Sequence, residues 1–193
     1  FLHLLGGSLI HYSSLTLLPV LFLSNKPFNK KTTILFLCAI PLGYVVYYAG
    51  GSILMNPSLP FIGNKLAIYQ AAVEKGKMTV GINIFDPLHI MSIMLFYYLF
   101  LFKDSLTKLC DDFPILLKTS AIGLSLYSAL AFLPVLALRT SQLYCIVNIL
   151  LYTYIIYTFK QKWIGISMVV VLSLLLLYVS IPHYGLGMMI IPN

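Results

Sequence analysis

Apolar residues run along this chain in blocks about as long as a bilayer is thick, and the polar residues are gathered in the gaps. A helical crossing of roughly 30 Å of hydrocarbon needs about 20 apolar residues. By that measure the pattern predicts about six transmembrane helices, over residues 1–23, 32–55, 88–102, 115–138, 143–159 and 163–181. The first block closes on Ser24-Asn25-Lys26-Pro27 and the second on Asn56-Pro57. The third is short. Extending it back over Ile84 and Phe85 would place Asp86-Pro87 inside it, so it is expected to be tilted or partly re-entrant. No segment alternates with the period of two that marks a barrel strand. The expected fold is therefore all-α, a polytopic integral membrane helical bundle forming a single transmembrane domain over residues 1–193. The chain is already apolar at Phe1, with no basic leader and cleavage pattern before it, and is expected to be the C-terminal part of a longer polytopic protein.

One gap, residues 56–86, is large enough for structure of its own. Asn64 can cap a short helix from Lys65 to about Lys75, with Gly76 as its stop and Lys75 and Lys77 near the negative end of its dipole. Leu66, Tyr69 and Val73 share one face, which predicts an amphipathic helix lying at the membrane surface with its polar face toward solvent or a substrate.

Composition removes the alternatives to lipid. Hydrophobic residues make up 60% of the 193 and charged residues 9%, against roughly 25% charged in a soluble domain. The net charge of +7 does not indicate nucleic acid, because the cations form short groups between apolar blocks instead of one basic face. Lys26, Lys30, Lys31, Lys103, Lys108, Lys118, Lys160 and Lys162 fall in odd-numbered connections, and only Lys65, Lys75, Lys77 and Arg139 in even-numbered ones. Positive charge stays on the cytoplasmic side. A multi-pass protein of the bacterial plasma (inner) membrane is expected, with residues 56–86 and Arg139 on the extracytoplasmic face. Cys38, Cys110 and Cys145 are too scattered for a disulfide framework or a metal site and read as packing residues.

Polar side chains inside apolar blocks are costly, so each needs a partner or a cavity. His11 lies on a small polar stripe with Gly7, Ser8 and Ser14; it reads either as a hydrogen bond to a neighbouring helix or as a binding or proton-transfer group. Arg139, the chain's single arginine, reads either as an interfacial anchor or as the guanidinium that grips a diphosphate in bidentate fashion. Tyr144, Asn148 and Tyr152 follow at i, i+4 and i+8, a polar stripe running inward from Arg139 and expected to line the bundle interior or a cavity. Asp86 and His89 sit where the long loop re-enters the membrane. Asp86 before Pro87 is a common helix start, and with His89 it could also act as a base on an acceptor hydroxyl. His183 has no charged neighbour in sequence. Phosphate-loop, nucleophile-elbow and zinc motifs are missing, so neither a metal nor another cofactor is expected, and phosphate chemistry here would draw its charge from Arg and Lys.

The segment Ile10-His11-Tyr12-Ser13-Ser14-Leu15, in an apolar helix ending at a proline and a basic loop, resembles a segment of the EpsG/Wzy-like polysaccharide polymerases. Leu138-Arg139-Thr140-Ser141-Gln142-Leu143-Tyr144 resembles that family's arginine-to-tyrosine element. The resemblance implies that blocks of repeat unit on a polyprenyl diphosphate are joined at the outer face of the membrane. The growing chain would leave its lipid carrier for a sugar hydroxyl of the next lipid-linked unit, in the making of an O-antigen, capsule or exopolysaccharide. It implies a metal-independent membrane glycosyltransferase whose partners are the lipid-linked oligosaccharide, the bilayer and other polysaccharide export proteins, with no nucleic acid. On the matching positions Arg139 would hold the diphosphate, and His11 would belong to the first polar element. From the residues alone, Lys65, Tyr69, Lys75, Lys77, Tyr144 and Asn148 are expected to contact sugar or phosphate, with Asp86 and His89 supplying the base. Better-studied polymerases of this reaction class use several outer-face arginines, where this chain has one. A flippase or transporter of the same lipid-linked sugar, with breaks at Pro19, Pro41 and Pro134, and a non-catalytic membrane subunit remain the competing readings.

Overall fold

The computed structural model describes residues 17–54 and 82–188, with side chains for residues 17–49 and 82–180. Every regular element among the described residues is helical. A single turn, α1 (Leu18–Leu21), has Pro19 in its first turn and precedes the basic segment around Lys26. Helix α2 (Lys30–Leu54) starts at a reciprocal cap. Asn29 Oδ1 accepts the Thr32 backbone N–H at 2.8 Å, and Thr32 Oγ1 accepts that of Asn29 at 2.9 Å, so two donors otherwise orphaned at a helix start are satisfied. Pro41 lies inside α2 without ending it.

Helix α3 (Pro87–Leu101) begins as expected, with Pro87 in its first turn after Asp86, where the missing proline N–H costs nothing. It turns through 73° at Phe102 into the short α4 (Lys103–Leu109). Helix α5 (Phe113–Ala129) is the centre of the bundle. Its Phe113, Leu117, Ala121 and Leu124 are at most 2% exposed and form one stripe at i, i+4, i+8 and i+11. Helix α6 (Pro134–Cys145) and α7 (Asn148–Thr153) are joined by a 46° bend and run on into a 3₁₀ turn at Tyr154–Thr158. Helix α8 (Lys162–Met188) closes the described chain on the outside of the bundle.

Two of these helices, over Lys30–Ala49 and Lys162–Ser180, are long and apolar enough to cross a membrane, and up to four are if each bent pair is one span. The expectation of six therefore meets two to four among the described residues, and most of the first block lies outside them. The largest departure is in the fourth and fifth blocks. The break expected at Arg139 instead occupies residues 130–133, between α5 and α6. Leu133, at φ −118° and ψ 82°, shows the cause: the residue before a proline is pushed out of the helical region, and Pro134 starts a new helix. Hydropathy cannot reveal a turn built from Ala131, Phe132 and Leu133. Arg139 thus sits inside α6 and not at a junction.

Contacts fix the direction of each helix. Gly43 on α2 lies against Ser125 on α5, with their lysine-bearing starts also together, so α2 and α5 run parallel. Helix α3 is antiparallel to both: His89 near its start meets Ser128 near the end of α5, and Phe100 near its end packs on Phe28 at 5.6 Å. Tyr98 hydrogen-bonds Thr158 at 2.7 Å, which brings the end of the 3₁₀ turn to the same level. Lys26, Lys30, Lys31, Lys103, Lys160 and Lys162 consequently gather at one end of the bundle, as the loop charges predict.

Lys118 was expected in the loop with them. It lies instead in α5, 3% exposed, and reaches back to the carbonyls of Ser24 at 2.6 Å and Lys26 at 2.8 Å, over the Phe28 ring. Its long stem allows the ammonium to reach the basic end from within the helix. Lys118→Met removes two charge-assisted bonds of about 1.5–3 kcal/mol each at most. The purified variant is expected to lose its monodisperse gel-filtration peak several degrees below the parent on heating in detergent. An unchanged transition would show that the clamp contributes nothing to stability.

Candidate functional site

At the end of the bundle opposite the lysines lies a cavity of about 320 Å³, near the lower limit of ligand pockets, roughly 300–1,000 Å³. Asp86, just before α3, and Leu88, His89 and Ser92 from its first turns form one wall; Leu138, Ser141, Gln142 and Cys145 from α6 form the other; Leu124 and Tyr127 of α5 lie between them.

The segment entering α3 is held in place before the helix begins. Ile82 N–H donates to Ala131 O at 3.3 Å, the Tyr44 hydroxyl to Ile84 O at 3.0 Å and the Tyr127 hydroxyl to Asn83 O at 3.4 Å. Asn83 folds the segment locally, its Oδ1 accepting the Phe85 N–H at 3.0 Å and its carbonyl that of Asp86 at 3.0 Å. Asp86 occupies the position before Pro87, but its side chain makes no capping bond. Its carboxyl group is buried and lines the cavity.

One turn on, His89 is also buried. Its ring stacks on Tyr127 with centroids 4.1 Å apart and planes at 26°, and Nε2 lies 3.1 Å from Ser128 Oγ. Stacking fixes the ring plane and the serine fixes its rotation, so the imidazole is presented in one orientation. Ser92 donates to Leu88 O at 2.9 Å and accepts from the Tyr152 hydroxyl at 3.3 Å. Deeper in the bundle Ser120 donates to Asn148 Oδ1 at 2.6 Å, which gives a polar side chain at the α6–α7 bend the partner it needs inside an apolar interior.

Of the residues singled out from sequence, Asp86 and His89 come together on the cavity wall. Tyr144 and Asn148 do face the interior, Tyr144 1% exposed, yet neither lines the cavity; Cys145 does. Arg139 does not head their stripe. It is exposed on α6 while Thr140 and Ser141 are buried, because five residues along a helix are about 140° apart around its axis. Its sequence neighbour Leu138 is on the cavity wall. His11, Lys65, Tyr69, Lys75 and Lys77 lie outside the described residues, as does the side chain of His183. Ser92, Tyr127, Ser128, Ser141 and Gln142 were not singled out. Gln142 carried a usable signal, an amide in the same short element as Arg139. Among the described residues no three His, Cys, Asp or Glu side chains gather as a metal site would require.

Among the described residues the arrangement is that of an all-helical membrane protein, with a cavity of mixed polar and apolar lining near one end and most of the lysines at the other. The sequence profile of the EpsG family matches residues 1–192, and the chain belongs to that family, a Wzy-like polysaccharide polymerase family. No curated protein and no solved structure matches the chain.

Proposed function

We propose that this protein joins polyprenyl-diphosphate-linked oligosaccharide repeat units into a surface polysaccharide at the outer face of the bacterial plasma membrane. The reading rests on one observation beyond family membership: Asp86 and His89, one helical turn apart, line a single cavity at the end away from the lysines. Positive charge is retained in the cytoplasm, so that end is the outer one. In the reaction, an acceptor sugar hydroxyl gives its proton to His89 or Asp86 as its oxygen forms a bond to the anomeric carbon of the growing chain. The bond from that carbon to the diphosphate oxygen breaks, and the diphosphate leaves with the electron pair. A diphosphate is already a good leaving group. What it needs is a cation, and Arg139, exposed beside the α6 wall, is the described residue suited to that work.

Deleting the gene tests the class of activity. Single lipid-linked repeat units should accumulate on the outer face; accumulation on the inner face would instead indicate a flippase, and unchanged polymer would exclude both. Arg139→Ala is expected to slow polymer formation by roughly 10²-fold, with Arg139→Lys retaining part of the rate because the charge is kept while the bidentate geometry is lost. Full-length polymer at the parental rate from the alanine variant would remove Arg139 from the reaction.

A further inference from the structure

The chain turns sharply between the 3₁₀ turn at Tyr154–Thr158 and α8, and the corner is held rigidly. An atom at the Cβ position of Gly165 would stand 2.6 Å from Ile156 Cα, so the first turn of α8 lies against the main chain it has just left. Tyr98 of α3 bonds Thr158 at 2.7 Å and fixes the level of the corner in the bundle. Lys160, Gln161, Lys162 and Trp163 follow, all exposed, Trp163 at 66%. From there α8 has two faces. Gly165, Val169 and Leu172 turn inward onto the 3₁₀ turn and the core. Trp163, Ile166, Val170 and Leu174, each more than half exposed, form the opposite stripe at i, i+3, i+7 and i+11.

A lysine pair at the head of an apolar stripe matches one chemistry, a lipid with an anionic headgroup. An indole beside such lysines sits at the boundary between headgroups and acyl chains, and lysine stems run along apolar surface to bring their ammonium groups to phosphate. Among the described residues Lys103 is the lysine paired with a carboxylate, Asp104 at 3.1 Å, and neither Lys160 nor Lys162 has such a partner. We propose that the corner entering α8 is a binding site for an anionic phospholipid of the cytoplasmic leaflet, with Lys160 and Lys162 on the headgroup and the acyl chains along the outer stripe of α8. A soluble acidic protein needs lysines presented to water; here Trp163 and the stripe that follows it tie the charges to the membrane plane. The proposal stands apart from the polymerase reading, because it concerns the opposite end of the bundle and holds equally for a flippase or a subunit.

Trp163 is the one tryptophan of the sequence and reports on the lipid beside it. The full protein is reconstituted in vesicles of phosphatidylcholine and phosphatidylglycerol in which one lipid or the other carries bromine on its acyl chains, since bromine quenches indole emission on contact. Trp163→Phe gives the background to subtract. Brominated phosphatidylglycerol is expected to quench beyond its share of the bilayer, by an enrichment of about fivefold at Trp163, the factor that a single lysine near an anionic surface supplies. Lys160→Gln combined with Lys162→Gln should remove most of the enrichment. Lys30→Gln combined with Lys31→Gln, the same charge change at the start of α2, should leave most of it. Equal quenching by the two lipids in the parent would overturn the proposal, and so would parental enrichment in the Lys160 and Lys162 double variant. Equal losses from the two double variants would overturn it as well, because the enrichment would then belong to the general field of the lysine end.

Discussion

Gly43→Val is expected to leave almost no folded protein in the membrane. An atom at the Cβ position of residue 43 would stand 2.5 Å from the carbonyl oxygen of Ser125 and 3.2 Å from its carbonyl carbon. Those are backbone atoms in the middle of α5, so no rotamer change relieves the clash, and α2 and α5 must separate. Separation would pull Phe36 and Ile40, both buried, out of the core and unseat Tyr44 from Ile84. Over-packing a tight core costs typically about 1–3 kcal/mol; valine should exceed that because the obstacle cannot move, and Gly43→Ala should fall within it. Fluorescence-detected gel filtration of tagged protein would measure both. The control is Ser125→Gly: since the collision is with the main chain, it should not rescue Gly43→Val. A rescue would mean that the close approach is made by the serine side chain and that the helices can adjust.

Asp86→Asn and His89→Gln are expected to abolish polymer while leaving the protein amount unchanged. Asparagine matches aspartate in shape and keeps the position before Pro87, where the side chain makes no capping bond, so the helix start is preserved and only the charge and basicity are lost. Glutamine at position 89 retains a polar group near Ser128 but cannot take up a proton. General-base groups contribute typically about 10²–10⁴-fold, and the larger loss should mark whichever of the two receives the proton. Gel electrophoresis of surface polysaccharide, with lipid-linked single units quantified in parallel, separates a catalytic defect from a folding one. Polymer of normal length and amount from both variants would dismiss this pair from the chemistry, and the cavity would need another role.

How far the sequence reached depended on the kind of signal each feature left. Helix α3 was legible to within a residue because Asp86-Pro87 is a physical start signal; α2 and α8 were legible as long apolar runs after lysines, although α8 continues to Met188, past the expected end at residue 181. The shared end of the lysine groups was legible for the same reason. The α5–α6 turn was not, since its residues are as apolar as the helices on either side and only Pro134 marks it. That error carried Arg139 to the wrong place, and with it the notion of a polar stripe descending from the guanidinium. Lys118 misled in a different way: a charge seven residues from Asp111 looks like loop, but a four-carbon stem lets a helical residue use the interface. Within the site, Asp86 and His89 were visible as polar residues at a boundary. Ser128 and Ser92 were not, because a serine in an apolar block is common, and its value comes only from the imidazole or tyrosine that folding brings to it.

The glycine contacts on α5 have a mechanical consequence. Gly123 admits α6 so closely that a Cβ there would stand 2.7 Å from Cys145 Sγ, and two residues later Ser125 receives Gly43 of α2. Three main chains are therefore clamped at one level, just beneath Leu124 and Tyr127 of the cavity lining. Close-packed backbone is stiff and transmits strain, whereas the segment entering α3 at the rim is held by a few hydrogen bonds, from Ile82, Tyr44 and Tyr127. The pocket is a vessel with a rigid base and a compliant lip. Substitutions at Leu138 or Gln142 are then expected to reshape the lip, with the joint that keeps the helices assembled left untouched.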